Sequence, residues 1–212
     1  MSNSARLFVI AAPSGAGKTT LVKAMVDRIP ELKFSISYTT RKKRVNEVEG
    51  KDYFFVSEAE FEKLKATDKL LESALVFDNN YGTSRSQVEE HLAGGHHVML
   101  EIDWQGAQQV RQSRPDCVTI FILPPSRDEL EQRLRSRKTD SDAVIDRRLN
   151  EALGDMSHWE EFDYVIINDD LNIAVAQLES VIDGSAGASK AHDDTLQTRI
   201  TTITGCRKAD GV

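Results

Sequence analysis

Features typical of secreted, metal-binding and membrane-spanning proteins are scarce in this chain of 212 residues. It has two cysteines, Cys117 and Cys206, whose spacing fits neither a disulfide framework nor a metal site, so we expect reduced thiols. No apolar run approaches the length of a bilayer span, and the N-terminal MSNSARLFVI has neither an apolar signal core nor a cleavage site. We therefore expect a cytoplasmic protein that does not enter a membrane.

An excess of positive charge is also absent. The chain has 27 Lys and Arg against 34 Asp and Glu, which gives a formal net charge of −7. This balance argues against a general affinity for nucleic acids or anionic membranes, so a local basic cluster must hold any anionic ligand. Apolar residues make up 40% of the chain, enough for one globular domain with one or two insertions.

Strand-like apolar runs alternate with helix-like segments, as is typical of a parallel sheet covered by helices. Each predicted strand is nearly continuous in apolar residues, as expected when both faces of a sheet are buried. The predicted strands are Leu7–Ala12, His97–Asp103, Val118–Leu123 and Tyr164–Asn168, and the predicted helices are Thr19–Ile29, Trp104–Gln112, Arg127–Arg137 and Leu171–Ile182. The sequence therefore predicts an α/β fold with a parallel sheet core flanked by helices.

Two stretches interrupt this alternation. From Phe34 to Gln87 the pattern changes to short, mostly β segments with one helix near Glu58–Ala66. From Arg137 to about Trp159 the chain is rich in charge, and the run RSRKTDSD at its start is too polar to pack inward. Large apolar residues become few after Gly184, so we expect the C-terminal stretch to fray.

The segment AAPSGAGKTT links the first predicted strand to the first predicted helix. Backbone N–H groups at a helix N-terminus favour an anion, and glycines let the chain curl around it. Lys18 adds a positive charge for the β- and γ-phosphates, and the hydroxyl of Thr19 is suited to bind a magnesium ion held on them. The segment is a P-loop, and it predicts binding of a triphosphate through Ala12, Pro13, Ser14, Gly15, Ala16, Gly17, Lys18 and Thr19.

The P-loop pattern G-x-x-x-x-G-K-[ST] begins with a glycine, whereas this chain has Ala12. A methyl group is tolerated there if the φ angle is negative. The alternative is a glycine-rich turn of purely structural use, and the strand before it and the helix after it weigh against that alternative.

Four further runs follow the P-loop: SYTTRKKR, which reads S-x-T-T-R-x-x-R; EVEGKDY, which reads E-x-x-G-x-D-Y; YGT; and VMLEIDWQGAQQVR. In this order they closely resemble the guanylate kinase family, over about Arg6 to Ile182. The resemblance implies transfer of a phosphoryl group from ATP to GMP or dGMP with Mg²⁺. It also implies a P-loop core of residues 5–33, 88–126 and 160–183, a GMP-binding insert of residues 34–87 and a lid of residues 127–159, which leaves residues 184–212 as a flexible tail.

The resemblance also implies which residues hold the phosphate of GMP. Arg41 and Arg44 match the arginines that bind it, and two guanidinium groups suit a phosphate dianion through charge-assisted hydrogen bonds. Tyr53 and Tyr81 match the phenols that complete this pocket. Each has a simpler alternative, because a basic turn is commonly solvated and tyrosines are commonly packing residues.

The positions that read the guanine base match Ser37, Glu72 and Thr83. A carboxylate at Glu72 accepts two hydrogen bonds from the N1–H and N2–H₂ groups of guanine, whereas adenine presents an acceptor at N1. Glu101 and Asp103 are further candidates for GMP binding. Some family members carry Asp where this chain has Glu101, and Ser where it has Thr83. Asp103 is also placed to hold a water on Mg²⁺ or to cap the next helix. For Glu72 the simpler alternative is an outward-facing residue of a strand.

Arg133, Arg137 and Arg148 match the lid arginines that close over the donor phosphates and supply catalytic charge. The family tends to have Gly where this chain has Lys138. Asn168 matches a segment near the adenine of ATP, and a strand-ending turn is its simpler reading.

Two other functions stay open at this point. Domains of this fold that have lost catalysis serve as peptide-binding scaffolds, but the retained Lys18, Thr19 and lid arginines argue against that function. A P-loop kinase acting on a phosphorylated sugar would not need the three base-reading residues. The sequence leaves the oligomeric state open.

Overall fold

The structure is a computed structural model that describes residues 5–76, 78–136, 142–185, 190–191 and 193–205. The chain divides into two compact units. The first contains the described residues of Met1–Val9 and Ile29–Val118, and the second those of Ile10–Arg28 and Thr119–Val212. Cys206, Arg137 and Lys138 lie outside the described residues.

The first unit combines parallel strands with a small second sheet. β2 pairs with β7 in parallel, with Leu32 opposite His97, and the N–H of Val98 donates to the carbonyl of Arg6 beside β1. The elements of this unit are β2 (Leu32–Phe34), β3 (Ser37–Thr39), β4 (Phe54–Phe55), α2 (Glu58–Ala66), β5 (Leu70–Val76), β6 (Asn79–Ser84), α3 (Arg85–Ala93), β7 (His97–Glu101) and α4 (Trp104–Ser113). β1 (Leu7–Ala11) and β8 (Val118–Leu123) are divided between the units.

The second unit contains the helices that follow the P-loop and the later strands. β8 pairs with β9 in parallel, and every residue of β8 is buried, which explains its nearly continuous apolar sequence VTIFIL. The further elements are α1 (Lys18–Arg28), α5 (Arg127–Ser136), α6 (Asp142–Met156), a 3₁₀ helix (Ser157–Glu161), β9 (Tyr164–Ile167), α7 (Leu171–Asp183) and α8 (Asp194–Thr204). Among the described residues the parallel strands form a sheet in the order β2-β7-β1-β8-β9, which confirms the predicted α/β class.

The stretch after Phe34 forms a second sheet of four strands in the order β4-β3-β6-β5. β6 pairs antiparallel with both β3 and β5, while β4 pairs in parallel with β3. A register shift between Leu70 and Glu72 marks a bulge in β5. As predicted, this stretch is mostly β and contains one helix, α2, whose N-terminus is capped by a Ser57–Glu60 capping box.

The C-terminal stretch that we expected to fray contains α8. Asp193 caps its N-terminus by accepting a hydrogen bond from the N–H of Leu196, and Gly205 ends it in a left-handed conformation with φ +69°. Ile200 and Ile203 are buried on one face. The expectation of a frayed tail is wrong for these residues because sparse apolar side chains at helical spacing, closed by two caps, are sufficient to dock a short helix.

Arg127 at the start of α5 links that helix to the end of α8. Its Nε donates to the carbonyl of Ile203 at 3.0 Å, and its Nη2 donates to the carbonyl of Thr204. The last carbonyls of a helix have no intrahelical partner, so an arginine at this end satisfies two of them and complements the helix dipole.

No helix among the residues that the structure describes is both long enough and apolar enough to cross a membrane. Most predicted element ends agree with the structure within one or two residues. The prediction gave no bounds for β2, α3, α6 and α8.

We predict that Arg127→Ala destabilises the protein by about 1 kcal/mol, because two carbonyls at the end of α8 lose a charged donor that is itself partly exposed. Urea unfolding measures this loss, and amide hydrogen exchange locates it in α8. Arg127→Lys keeps the charge but not the two-pronged donor, and should fall between the wild type and the alanine variant. Unchanged exchange in α8 of Arg127→Ala would show that this link does not hold the helix.

Candidate active site

The three residues predicted to read a base come together in the first unit. In the register of the second sheet, Thr83 on β6 lies opposite Ser37 on β3 and opposite Glu72 on β5. Side chains of directly paired residues point to the same face of a sheet. All three are buried, with 8%, 0% and 4% of Ser37, Thr83 and Glu72 exposed. Glu72 is therefore not the outward-facing strand residue of the simpler reading.

The carboxylate of Glu72 is held on two sides. Its Oε1 accepts a hydrogen bond of 2.7 Å from the hydroxyl of Thr83. Its Oε2 lies against the first turn of α4, where a Cβ atom added to Gly106 would be only 2.6 Å away. Only a glycine leaves room for the carboxylate here, and the N-terminus of a helix favours a negative charge.

Asp103 is the N-cap of α4. Its Oδ1 accepts from the N–H of Gly106 at 2.8 Å, as expected for an aspartate that ends the turn before a helix. The capping role that the sequence left open is therefore present. A role in holding GMP, or a water on Mg²⁺, stays a prediction.

Arg41 lies in a cluster of aromatic and acidic side chains. Its Nη2 and Nη1 donate to the two carboxylate oxygens of Glu47 at 2.7 and 3.1 Å, and its Nε donates to the hydroxyl of Tyr81 at 3.2 Å. The guanidinium carbon lies 5.3 Å from the ring centroid of Tyr53. Burial alone would lower the pKa of Arg41, but the hydrogen bonds to Glu47 and Tyr81 outweigh it and raise the pKa.

Four of the five N–H donors of Arg41 are used, because Nη1 also donates to the carbonyl of Lys42 at 2.9 Å. In this arrangement Arg41 can offer one further N–H and its charge to a phosphate. Arg44 is more available, since 65% of its side chain is exposed and its Nη1 lies 3.9 Å from Glu47.

The two predicted phenols lie together beside Arg41. The ring centroids of Tyr53 and Tyr81 are 5.9 Å apart in an edge-on arrangement. Burial, with smaller effects of the Glu101 and Tyr81 charges, raises the pKa of Tyr53 to about 12. Its hydroxyl therefore keeps its proton near neutral pH and can donate to an anion. Glu101, at the end of β7, is close enough to contribute to this shift.

The P-loop in the second unit has the conformation that its glycines predict. Gly15 and Gly17 have φ angles of +92° and +90°, a region that other residues rarely adopt. Asp68 and Asp78 are the non-glycine residues with positive φ in the described part of the chain, so Ala12 lies outside that region and its methyl group causes no backbone strain. Lys18 is the first residue of α1.

Thr19 lies beside Lys18 in the first turn of α1, where its side chain is exposed. A hydroxyl oxygen is a ligand type that Mg²⁺ accepts together with waters and substrate phosphates. The described residues contain no group of three or more His, Cys, Asp and Glu side chains suited to hold a metal ion.

Two side chains from later parts of the chain donate hydrogen bonds to the P-loop backbone. The amide nitrogen of Asn168, which is 6% exposed, donates to the carbonyl of Ala16 at 2.8 Å. Arg133 on α5 donates to the same carbonyl at 3.4 Å and to the carbonyl of Asn168 at 3.2 Å. Any side chain at position 17 would collide with the Asn168 amide, which is a second reason for glycine there. Both residues thus contact the P-loop backbone, which the sequence did not predict.

The remaining lid residues are only partly described. Arg148 lies on α6 and is half-buried, and Glu129 binds the Nε of Arg133 at 2.9 Å. Arg137, the third predicted lid arginine, falls outside the described residues.

Sequence reasoning missed Glu47, Gly106 and Gln109. All three stand inside the runs that were quoted, Glu47 at the start of EVEGKDY and the other two in WQGAQQVR. The run EVEGKDY contains another structural contact, since Asp52 accepts a hydrogen bond from the N–H of Val48 at 2.7 Å. A motif therefore carried a signal for these positions, but only the fold shows what each contacts.

We predict that Glu47→Gln lowers the free energy of unfolding at pH 7 by on the order of 1 kcal/mol, with a difference that disappears in acid. Burial alone would raise the pKa of Glu47, but hydrogen bonds from Arg41 and Arg44 outweigh it and lower the pKa. A carboxylate with a lowered pKa stabilises the fold above its unfolded-state pKa and loses this effect as the pH falls through its folded-state pKa.

Urea unfolding of both proteins between pH 7 and pH about 3 measures the difference. Glu62→Gln, at an exposed position of α2, is the matched control and should show little change at any pH. A Glu47→Gln difference that is independent of pH would mean that the ion pair does not stabilise the fold.

The comparisons of the chain with known proteins agree on one family. The guanylate kinase family model matches residues 4–185. The chain is 57% identical over 176 residues to a guanylate kinase of Methylococcus capsulatus, covering 83% of this chain and 86% of the relative. It is 48% identical over 199 residues to a guanylate kinase of Sodalis glossinidius, covering 92% and 96%.

A crystal structure of guanylate kinase from Anaplasma phagocytophilum matches with a TM-score of 0.71 and 31% identity, covering 95% of each chain. The family model covers more than half of this sequence, and the curated relatives match over most of their own length. By sequence and by fold, the chain belongs to the guanylate kinase family.

Proposed function

We propose that the protein transfers the γ-phosphoryl group of ATP to GMP, and to dGMP, giving ADP and GDP or dGDP. Membership of the guanylate kinase family supports the reaction class. The observation that carries the choice of acceptor is the register that puts Ser37, Thr83 and Glu72 side by side on three strands. A buried carboxylate at the end of a row with two hydroxyls matches the donors and the acceptor on the edge of guanine.

On the acceptor side, Glu72 would accept hydrogen bonds from N1–H and N2–H₂ of the base. The hydroxyl of Thr83 donates to one carboxylate oxygen and fixes the orientation of the carboxylate. The phosphate of GMP would be held by Arg44, by the protonated phenol of Tyr53 and by Arg41. Because Glu47 already holds Arg41, its guanidinium is oriented before the nucleotide arrives.

On the donor side, the P-loop and Lys18 would hold the phosphates of ATP, with Asn168 near the adenine, while Arg133, Arg137 and Arg148 neutralise charge as the phosphoryl group moves. Phosphoryl transfer requires little covalent chemistry from the protein, so positioning and electrostatic stabilisation carry the rate. The hydroxyl of Thr19 would hold Mg²⁺, which when bound neutralises charge on the phosphates.

A coupled assay with GMP, dGMP, AMP, UMP and ribose phosphates as acceptors tests the proposal. We expect turnover with GMP and dGMP and little with the others. Turnover only with a sugar phosphate would support the related P-loop kinase, and binding without any turnover would support a scaffold domain.

We also propose that the protein acts in the cytoplasm, where ATP and GMP are available, and that its negative net charge disfavours binding to nucleic acid.

We predict that Lys18→Ala lowers kcat by on the order of 10²-fold or more while the fold remains intact, because a fixed charge at the transferred phosphoryl group is lost. Steady-state kinetics measure the loss, and circular dichroism and thermal unfolding check the fold. Lys23→Ala, at an exposed position of the same helix, is the control and should keep normal turnover. A folded Lys18→Ala with near-normal kcat would contradict the assigned donor site.

We predict that Glu72→Gln lowers kcat/KM for GMP by roughly ten- to a few-hundred-fold, because an NH₂ group then faces a donor of guanine. The preference for GMP over AMP should shrink, and the KM for ATP should hardly change. Glu62→Gln removes the same charge from an exposed helix and should leave all three quantities unchanged. Wild-type GMP kinetics in Glu72→Gln would mean that the base is read by another residue.

A further inference from the structure

β5 is an edge strand, since it stands last in the order β4-β3-β6-β5. The backbone groups on the outer side of an edge strand have no neighbouring strand to pair with. At Ser73 one side chain takes the place of that strand. The Oε1 of Gln109 accepts from the N–H of Ser73 at 3.0 Å, and its Nε2 donates to the carbonyl of Ser73 at 2.8 Å.

This paired contact joins β5 to α4, the two elements that enclose the carboxylate of Glu72. Ser73 follows Glu72 directly in the chain, and Gln109 lies one turn after Gly106, against which the carboxylate packs. The distance between strand and helix therefore sets where the carboxylate lies. Packing brings the two elements together, but the two hydrogen bonds of Gln109 also fix their register along the strand.

We propose that Gln109 is a positioning residue for guanine recognition: by pairing with both backbone groups of Ser73, it holds the Glu72 carboxylate edge-on to the base. The proposal rests on the proposed function, because it concerns the base that Glu72 reads. Gln109 acts through β5, and nothing requires it to contact the nucleotide. A hydrogen-bonding pocket discriminates between bases only when its acceptors are held within a few tenths of an ångström, so a loosened strand loses selectivity before it loses the fold.

The test variant is Gln109→Met, which keeps the length of the side chain and a high helix propensity but removes both hydrogen bonds. Gln109→Glu is the second variant, because a carboxylate still accepts from the N–H of Ser73 but turns an oxygen toward its carbonyl, which is repulsive. Gln112→Met, at an exposed position of the same helix, is the matched control. All are compared with the wild type at a temperature well below their unfolding transitions.

We expect Gln109→Met to raise the KM for GMP about five- to thirtyfold, with a change in kcat of less than about threefold. The ratio of kcat/KM for GMP to that for AMP should fall by a similar factor, while the KM for ATP stays unchanged. Gln109→Glu should also lower the GMP-to-AMP ratio, and Gln112→Met should match the wild type. If Gln109→Met does not fold, the GMP-to-AMP ratio of Gln109→Glu decides the question.

A merely structural role would lower the unfolding temperature without altering the GMP-to-AMP ratio, and that result would overturn the proposal. Failure of the proposed function is a different outcome, since the wild type itself would then show no turnover that depends on GMP. A wild type that prefers GMP, beside a folded Gln109→Met with the same preference, would reject the role of Gln109 alone.

Discussion

The burial of the Glu72 carboxylate is the constraint that organises the first unit of this protein. Removing a carboxylate from water is costly unless hydrogen bonds or opposite charge replace the lost hydration. The hydroxyl of Thr83 supplies one such bond, and the first turn of α4 supplies a favourable field. Gly106 must be a glycine because the carboxylate occupies the space of its Cβ, and Asp103 caps the helix that receives it.

In the second unit the P-loop is organised by different contacts, the hydrogen bonds to the carbonyl of Ala16. Asn168 and Arg133 both donate to it, so the P-loop is held in place by side chains from β9's end and from α5. A P-loop binds an anion through its N–H groups, and fixing its carbonyl from outside restricts the loop without using those donors. Each unit thus combines a short polar loop or strand with a helix that restrains it.

Much of this arrangement could be predicted from the sequence, because strong local signals define it. The apolar strands and the glycines of the P-loop predicted their elements almost to the residue. The register that aligns Ser37, Thr83 and Glu72 could not be predicted from local preferences. It depends on a bulge in β5 and on a turn in which Asp78 adopts a φ angle of +63°.

Contacts between residues distant in sequence were also beyond local reasoning. Gln109 binds a strand 36 positions earlier, and Asn168 binds a loop 152 positions earlier. The expectation of a frayed tail was wrong for a different reason. The stretch has few large apolar residues, but Leu196, Ile200 and Ile203 have the spacing of one helix face.

The comparison of GMP with IMP as acceptors for the wild-type protein tests the central claim most directly. IMP keeps the N1–H group of guanine but lacks the 2-amino group, so Glu72 loses one of its two hydrogen bonds while the sugar and phosphate stay the same. The account predicts that kcat/KM for IMP is about ten- to a hundredfold below that for GMP, and that AMP is poorer still because it turns an acceptor toward the carboxylate. Equal kcat/KM for IMP and GMP would contradict the claim that the buried carboxylate of Glu72 reads the guanine edge.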